Sequence, residues 1–179
     1  MAKHIENFKS WSETIVSDVA ALEKLVESSK AEGEARRLAA GALSYLVTRL
    51  DLVPDHEAGI GALDDVMVLR VCAQLASGHG ESGVDDESEI TLARMANEAD
   101  QISDFLGKQA YDKLRQYCTK LADTTVRGRT PGQIIADEAV RKALYEDVDA
   151  EIKKTVPVII KDAEDAELRL KAYLSHKLK

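Results

Sequence analysis

"DLVPDHEAGIGALDD", residues 51–65, places five carboxylates and no Lys or Arg between two apolar stretches, "LAAGALSYLVTRL" (38–50) and "VMVLRVCAQLA" (66–76). The proline in this segment disfavours a helical conformation in the residue before it, and the two glycines allow the backbone to turn back. The pattern therefore predicts two helices, the first stopped at the proline and the second beginning near residue 64. Together they would form a helical hairpin over about residues 35–77.

Four aspartates flank this turn, and an antiparallel hairpin would bring Asp51 and Asp55 close to Asp64 and Asp65. One interpretation is structural, because carboxylates at helix starts and turns usually accept backbone hydrogen bonds. Arg49 and Arg70, one turn outside, would neutralise part of the charge. The other interpretation is a cation site, since Mg²⁺, Mn²⁺ and Ca²⁺ prefer oxygen ligands. His56 could join as a nitrogen ligand for a transition metal. The structural interpretation is favoured on general grounds.

The rest of the chain repeats apolar residues at helical intervals, beginning with one long helix over about residues 5–26. The stretch 66–76 is apolar on nearly all sides, which is typical of a central helix. Asp86 or Ser88 is expected to cap the helix after the loop at 77–88, and Thr130 with Pro131 is a standard helix start. Pro157 should kink or split the last helical stretch. We predict one all-α domain, residues 1–179, built as a bundle of six to eight helices.

The composition excludes several functional classes. A net charge of −8 argues against sequence-independent nucleic-acid binding, and only 4% of the residues are aromatic, so stacking platforms are scarce. No stretch approaches the roughly 20 apolar residues of a membrane span, and no secretory signal is visible. Cys72 and Cys118 lie too far apart in the sequence to suggest a zinc pair or a disulfide framework. These features favour a soluble, cytoplasmic protein without an integral membrane segment.

Two further segments are weaker candidates for a binding site. Arg127 and Arg129 precede a helix start, an arrangement that can hold phosphate, although arginines in such a turn more often pair with nearby acidic residues. His79 lies in a glycine-containing loop, where a lone histidine is usually solvated. No nucleophile motif, P-loop or dinucleotide fingerprint is present, so the sequence predicts no catalytic residue.

The segment "YLVTRLDLVPDHEAGIGALDDVMVL", residues 45–69, resembles the YkvA-type domain of unknown function. The match consists of the spacing Y-L-x4-D-L-x-P-D-x5-G-x2-D-D, and the resemblance covers about residues 35–72. Leu50 departs from the family pattern, which usually has a proline there. The resemblance implies a helical hairpin with a fixed acidic turn, and it supplies no mechanism because the family has no established activity.

The leading hypothesis is a non-enzymatic interaction or scaffold module, with a protein partner or self-association and no cofactor. The alternative is a divalent-cation-binding protein or metal-dependent hydrolase, in which the four aspartates bind Mg²⁺, Mn²⁺ or Ca²⁺ and a bound water acts as nucleophile.

Overall fold

Helices account for all regular secondary structure in the computed structural model, which describes residues 3–48, 51–57, 59–155 and 157–179. The first two of nine α-helices are continuous through one short 3-10 helix, Ser12–Thr14, so the described chain contains eight helical segments. This confirms the predicted all-α bundle of six to eight helices. The α-helices are α1 (Lys3–Trp11), α2 (Ile15–Glu27), α3 (Gly33–Tyr45), α4 (Leu63–Ser77), α5 (Asp86–Leu106), α6 (Lys108–Leu121), α7 (Pro131–Ala136), α8 (Glu138–Lys154) and α9 (Ala163–Lys177).

Helix α4 is the central element, because it packs against α3, α5 and α6. The four consecutive residues Val66–Leu69 are all buried, so α4 is covered on every side, as the apolar pattern predicted. The neighbouring helix α3 approaches the end of α6 closely at Gly41, where an added Cβ would lie 2.6 Å from the carbonyl oxygen of Leu121. Close packing of small residues thus holds the first arm of the hairpin against the bundle.

The ends of several helices differ from the prediction. Helix α3 ends at Tyr45, well before Pro54, because the next three amides bond to carbonyls three residues back. Pro54 is therefore not the residue that stops this helix, and Leu50 lies outside the described residues. Helix α5 is capped by the Asp85 carboxylate, which accepts from the Ser88 amide, rather than by the side chains of Asp86 or Ser88.

The C-terminal part of the chain is more interrupted than expected. Thr130 and Gln133 form a reciprocal capping box at the start of α7, as predicted for the Thr-Pro pair. The described residues between α8 and α9 form no helix, and the Asp162 carboxylate caps α9. We call the described residues of this segment, 155 and 157–162, the strap. No described helix has the length and hydrophobicity needed to cross a bilayer.

Candidate cation site in the acidic turn

The turn between α3 and α4 is held by close backbone contacts at its two glycines. The Gly61 amide donates to the Glu57 carbonyl at 3.0 Å, and an added Cβ on Gly61 would lie 2.5 Å from the carbonyl oxygen of Asp55. Gly59 has a φ of +80°, and a Cβ there would meet the carbonyl oxygen of Ile159, in the strap, at 2.8 Å. Both positions therefore need glycine, one for space and one also for its left-handed backbone.

This turn brings three of the four predicted aspartates together. Asp51, Asp64 and Asp65 each offer a carboxylate oxygen, and the three oxygens lie within 4.8 Å of one another. Asp64 is buried and the other two are half-buried. Asp55 is exposed and is not one of the three, although its charge still acts on them. We call Asp51, Asp64 and Asp65 the aspartate cluster.

Asp64 is the most buried member of the aspartate cluster, with 1% of its surface exposed. Its Oδ2 accepts from the Tyr45 hydroxyl at 2.5 Å and from the Val53 amide at 3.3 Å. The same hydroxyl oxygen accepts from the Leu52 amide at 2.8 Å. Asp64 Oδ1 is also buried, and it has no hydrogen-bond partner among the described residues. One half of this carboxylate thus anchors the turn, and the other half is left without a partner.

The structure supports only part of the structural role expected for the aspartates at the start of α4. The N-cap of α4 is Ala62, which makes no side-chain capping bond. Asp64 and Asp65 lie in the first helical turn, where the helix dipole favours negative charge. The hydrogen bonds that Asp64 accepts from Tyr45 and Val53 come from the opposite arm of the hairpin, so it crosslinks the two arms.

Burial and mutual repulsion raise the pKa of all three clustered carboxyl groups. Burial, followed by the charges of Asp64 and Asp55, raises the pKa of Asp51 from 3.8 to about 7. Burial also raises the pKa of Asp64 to about 7, against the lowering effect of its hydrogen bonds from Tyr45 and Val53. The pKa of Asp65 is raised well above its usual value, by burial and then by Asp64 and Asp51. Near neutral pH, part of the aspartate cluster therefore holds protons unless another positive charge replaces them.

The arginine expected to neutralise the turn serves another part of the molecule. Arg70 is fully buried and donates to Asp18 at 3.2 Å and to Glu98 at 3.2 Å. Its side chain lies on the face of α4 that packs against α2 and α5, where those acids are, and therefore points away from the turn. Arg49, the second expected partner, lies outside the described residues. The fifth carboxylate of the turn, Glu57, pairs with Arg169 of α9 at 3.0 Å.

The aspartate cluster opens into a cavity of about 990 Å³. Asp51 and Asp65 line one side of it, and Arg127 and two residues at the end of α8, Glu151 and Lys154, also line it. His56 lines the cavity too but is exposed and outside the cluster, so it supplies no fourth ligand to the described group. The cavity is thus a mixed electrostatic site in which carboxylates and cations share one space.

Two residues of the site, Glu151 and Tyr45, were not predicted from the sequence. Glu151 lies on α8, far from the turn along the chain, and only tertiary packing brings it to the cavity. Tyr45 is different, because it is the first residue of the motif that resembles the YkvA-type domain, and its contact with Asp64 explains why a hydroxyl is useful there.

The other sequence candidates lie outside the aspartate cluster. Arg129 pairs with Asp147 at 2.6 Å, and Arg127 pairs with Asp147 at 3.5 Å, so the arginine turn meets an acidic surface. His79 is partly exposed, with Glu32 3.8 Å away. Cys72 and Cys118 are both buried free thiols.

Comparison with known proteins adds a family match for the hairpin. Residues 35–70 match the model of a family described as "Protein of unknown function (DUF1232)". The predicted resemblance to a domain of unknown function is thereby confirmed, and the match contains all three residues of the aspartate cluster. The chain has no significant match among curated proteins and none among solved structures.

Proposed function

We propose that this protein binds a divalent cation, Mg²⁺, Mn²⁺ or Ca²⁺, through Asp51, Asp64 and Asp65. The observation that supports this most is the buried, unpartnered Oδ1 of Asp64 beside two other carboxylates. A buried carboxylate oxygen without a partner is costly, and repulsion within the cluster adds to the cost. A divalent cation removes both penalties, because it supplies the missing partner and neutralises most of the charge.

The donor set favours a hard cation. The three carboxylates offer only oxygen ligands, as Mg²⁺, Mn²⁺ and Ca²⁺ prefer, and no described Cys or His joins them. Three carboxylates would leave several coordination positions of the ion for water or for a ligand in the adjoining cavity. This arrangement resembles an open site more than a closed structural one.

Binding should release protons, because two of the three carboxyl groups have pKa values of about 7. The affinity for the cation therefore rises as the pH increases through about 7, because protons and metal compete for the same oxygens. Hydrolysis by a cation-bound water is a further prediction for this site. The interaction or scaffold role of the folded domain also stays a prediction.

Calorimetric titration with each cation, together with thermal unfolding at about pH 8, tests the proposal. At a cation concentration of about 100 times Kd, we expect a stabilisation of about 2.7 kcal/mol. Asp64→Asn should abolish the response, since an amide is a poorer cation ligand and carries no charge. Asp55→Asn makes the same chemical change in the same turn, outside the aspartate cluster, and should keep a clear response.

Two results would contradict cation binding. One is the absence of both heat and a rise in Tm for the wild-type protein at millimolar cation. The other is an equal loss of response in the two variants, because that would show a dependence on overall negative charge rather than on the aspartate cluster.

A further inference from the structure

The cavity beside the aspartate cluster also presents cations to whatever occupies it. Arg127, Lys154 and Lys177 line it from three different elements: the turn before α7, the end of α8 and the end of α9. Its volume of about 990 Å³ suits a small-molecule ligand, since such sites usually measure about 300–1,000 Å³. An occupant would therefore be exposed to both the acidic turn and these basic side chains.

Arg127 has a backbone conformation that is unusual for its residue type. It is the one non-glycine residue with a positive φ, 50°, in the described chain, and Gly128 follows with a φ of 76°. Reciprocal hydrogen bonds of 3.0 Å between Val126 and Arg129 close this turn. Its first central position suits Asn, Asp or Gly, because a side chain such as that of arginine is strained there. Residues held in such strained conformations are enriched at active sites and ligand-binding sites.

The ion pairs of Arg127 are loose compared with those of its neighbour. Its guanidinium nitrogens lie 3.5 Å from Asp147 and 3.8 Å from Glu151. Arg129 binds Asp147 at 2.6 Å and is much less exposed, so Arg129 holds the turn in place. Arg127 is not needed for that contact, so its side chain can exchange these two longer ion pairs for an anion in the cavity.

We infer that the cavity binds a small molecule carrying a phosphate group, with the phosphate between the bound cation and Arg127. This inference rests on the proposed cation binding. Mg²⁺ held by few carboxylates commonly completes its coordination with phosphate oxygens, and a guanidinium matches the geometry of two phosphate oxygens. Five carboxylates line the same cavity beside three basic side chains, so an anionic ligand is favoured only once the cation is bound.

Calorimetric titration of the full chain with inorganic phosphate and with phenyl phosphate, each with and without Mg²⁺, tests the inference. Both probes should bind the wild-type protein only when Mg²⁺ is present. Arg127→Asn should lose this phosphate binding and keep its folded state, because asparagine tolerates the left-handed backbone. Lys113→Asn makes the same change of charge on an exposed position of α6 and should bind phosphate as the wild type does.

Mg²⁺ binding without phosphate is measured in every variant to separate the two proposals. If wild-type protein binds no Mg²⁺, cation binding and the inference both fail. If it binds Mg²⁺ but not phosphate, only the inference is overturned. Loss of Mg²⁺ binding itself in Arg127→Asn would also overturn it, since Arg127 would then serve the cation site.

Vesicles distinguish a soluble ligand from a lipid headgroup. We expect phosphatidylcholine vesicles to leave the protein in solution whether or not they contain phosphatidic acid. Binding to phosphatidic acid vesicles without binding of the soluble phosphates would overturn the assignment to a small molecule.

Discussion

Two groups of charged side chains lie against helix α4, and they differ in whether their charges are balanced. Around Arg70, two arginines meet two acids: Arg70 and Arg94 both donate to Asp18 and to Glu98. The Arg70 guanidinium also lies 4.4 Å from the centre of the Trp11 ring. At the start of the same helix, the three carboxylates of the aspartate cluster have no cation partner among the described residues.

The difference separates a charge group that is neutralised within the protein from one that is not. Balanced charges with satisfied hydrogen bonds have no need of a ligand, and their pairing fixes how α4 packs on α2 and α5. A buried group of like charges is unstable by itself, so it must hold protons or bind a cation. The raised pKa values of the aspartate cluster are the expected sign of the second case.

Breaking the balanced group should have the largest effect. Arg70→Met leaves Asp18 and Glu98 with only Arg94, so the free energy of unfolding should fall by about 3–5 kcal/mol. Urea denaturation measures this loss. Arg94→Met, at a side chain that is 34% exposed, is the matched control and should cost less. A loss for Arg70→Met smaller than that of Arg94→Met would mean that the group is not the anchor described above.

The aspartate cluster should make the cation-free protein less stable as pH rises. The folded-state pKa of Asp64, about 7, exceeds its usual value of 3.8, so the folded state binds more protons between these pH values. The contribution of Asp64 to the free energy of unfolding is therefore fully present below about pH 4. It is lost as the pH rises to about 7, by on the order of 2–4 kcal/mol. Urea denaturation at several pH values in a chelator measures the slope.

Asp64→Asn provides the control for this pH dependence, because Glu23, whose pKa is also raised to about 7, contributes a background of the same sign. The free energy of unfolding of the variant should fall less steeply with pH than that of the wild type. At about pH 8, Mg²⁺ should stabilise the wild-type protein but not the variant. Identical slopes for the two proteins would show that Asp64 does not titrate differently in the folded and unfolded states.

A smaller effect is expected for Tyr45→Phe, which removes the hydroxyl shared by Asp64 and the Leu52 amide. Loss of these hydrogen bonds should cost about 1–2 kcal/mol. The pKa of Asp64 should also rise, because the hydroxyl lowers it, so the pH midpoint of Mg²⁺ binding should move upward. Calorimetry across pH checks this shift. An unchanged midpoint would show that the Tyr45 hydroxyl only supports the turn.

Local patterns were sufficient for several features of this molecule. The apolar periodicity predicted the helices and the central position of α4. The two glycines of the acidic turn were predicted to let the chain turn back, and both lie in close contact with backbone atoms. Thr130 and Pro131 begin α7 as expected. These features depend on neighbours a few residues apart, which is the range over which sequence patterns are informative.

Other features could not be predicted from local sequence patterns. The exposed Asp55 and the buried Asp64 look alike in the sequence, and Arg70 seemed near enough to neutralise them. Which aspartate is buried, and which acids Arg70 meets, depends on how α4 is rotated against α2 and α5. Side-chain direction at that level follows from packing of distant segments rather than from spacing.

By itself, the sequence determined that residues 51–65 form an acidic bend between two helices, because proline, glycine and apolar periodicity act locally. Only the tertiary structure decided that Asp51, Asp64 and Asp65 share one site, and that Arg127 and Glu151 share its cavity. The reason is physical: pKa values and ion pairing depend on distance and burial, and both are set when remote helices pack together.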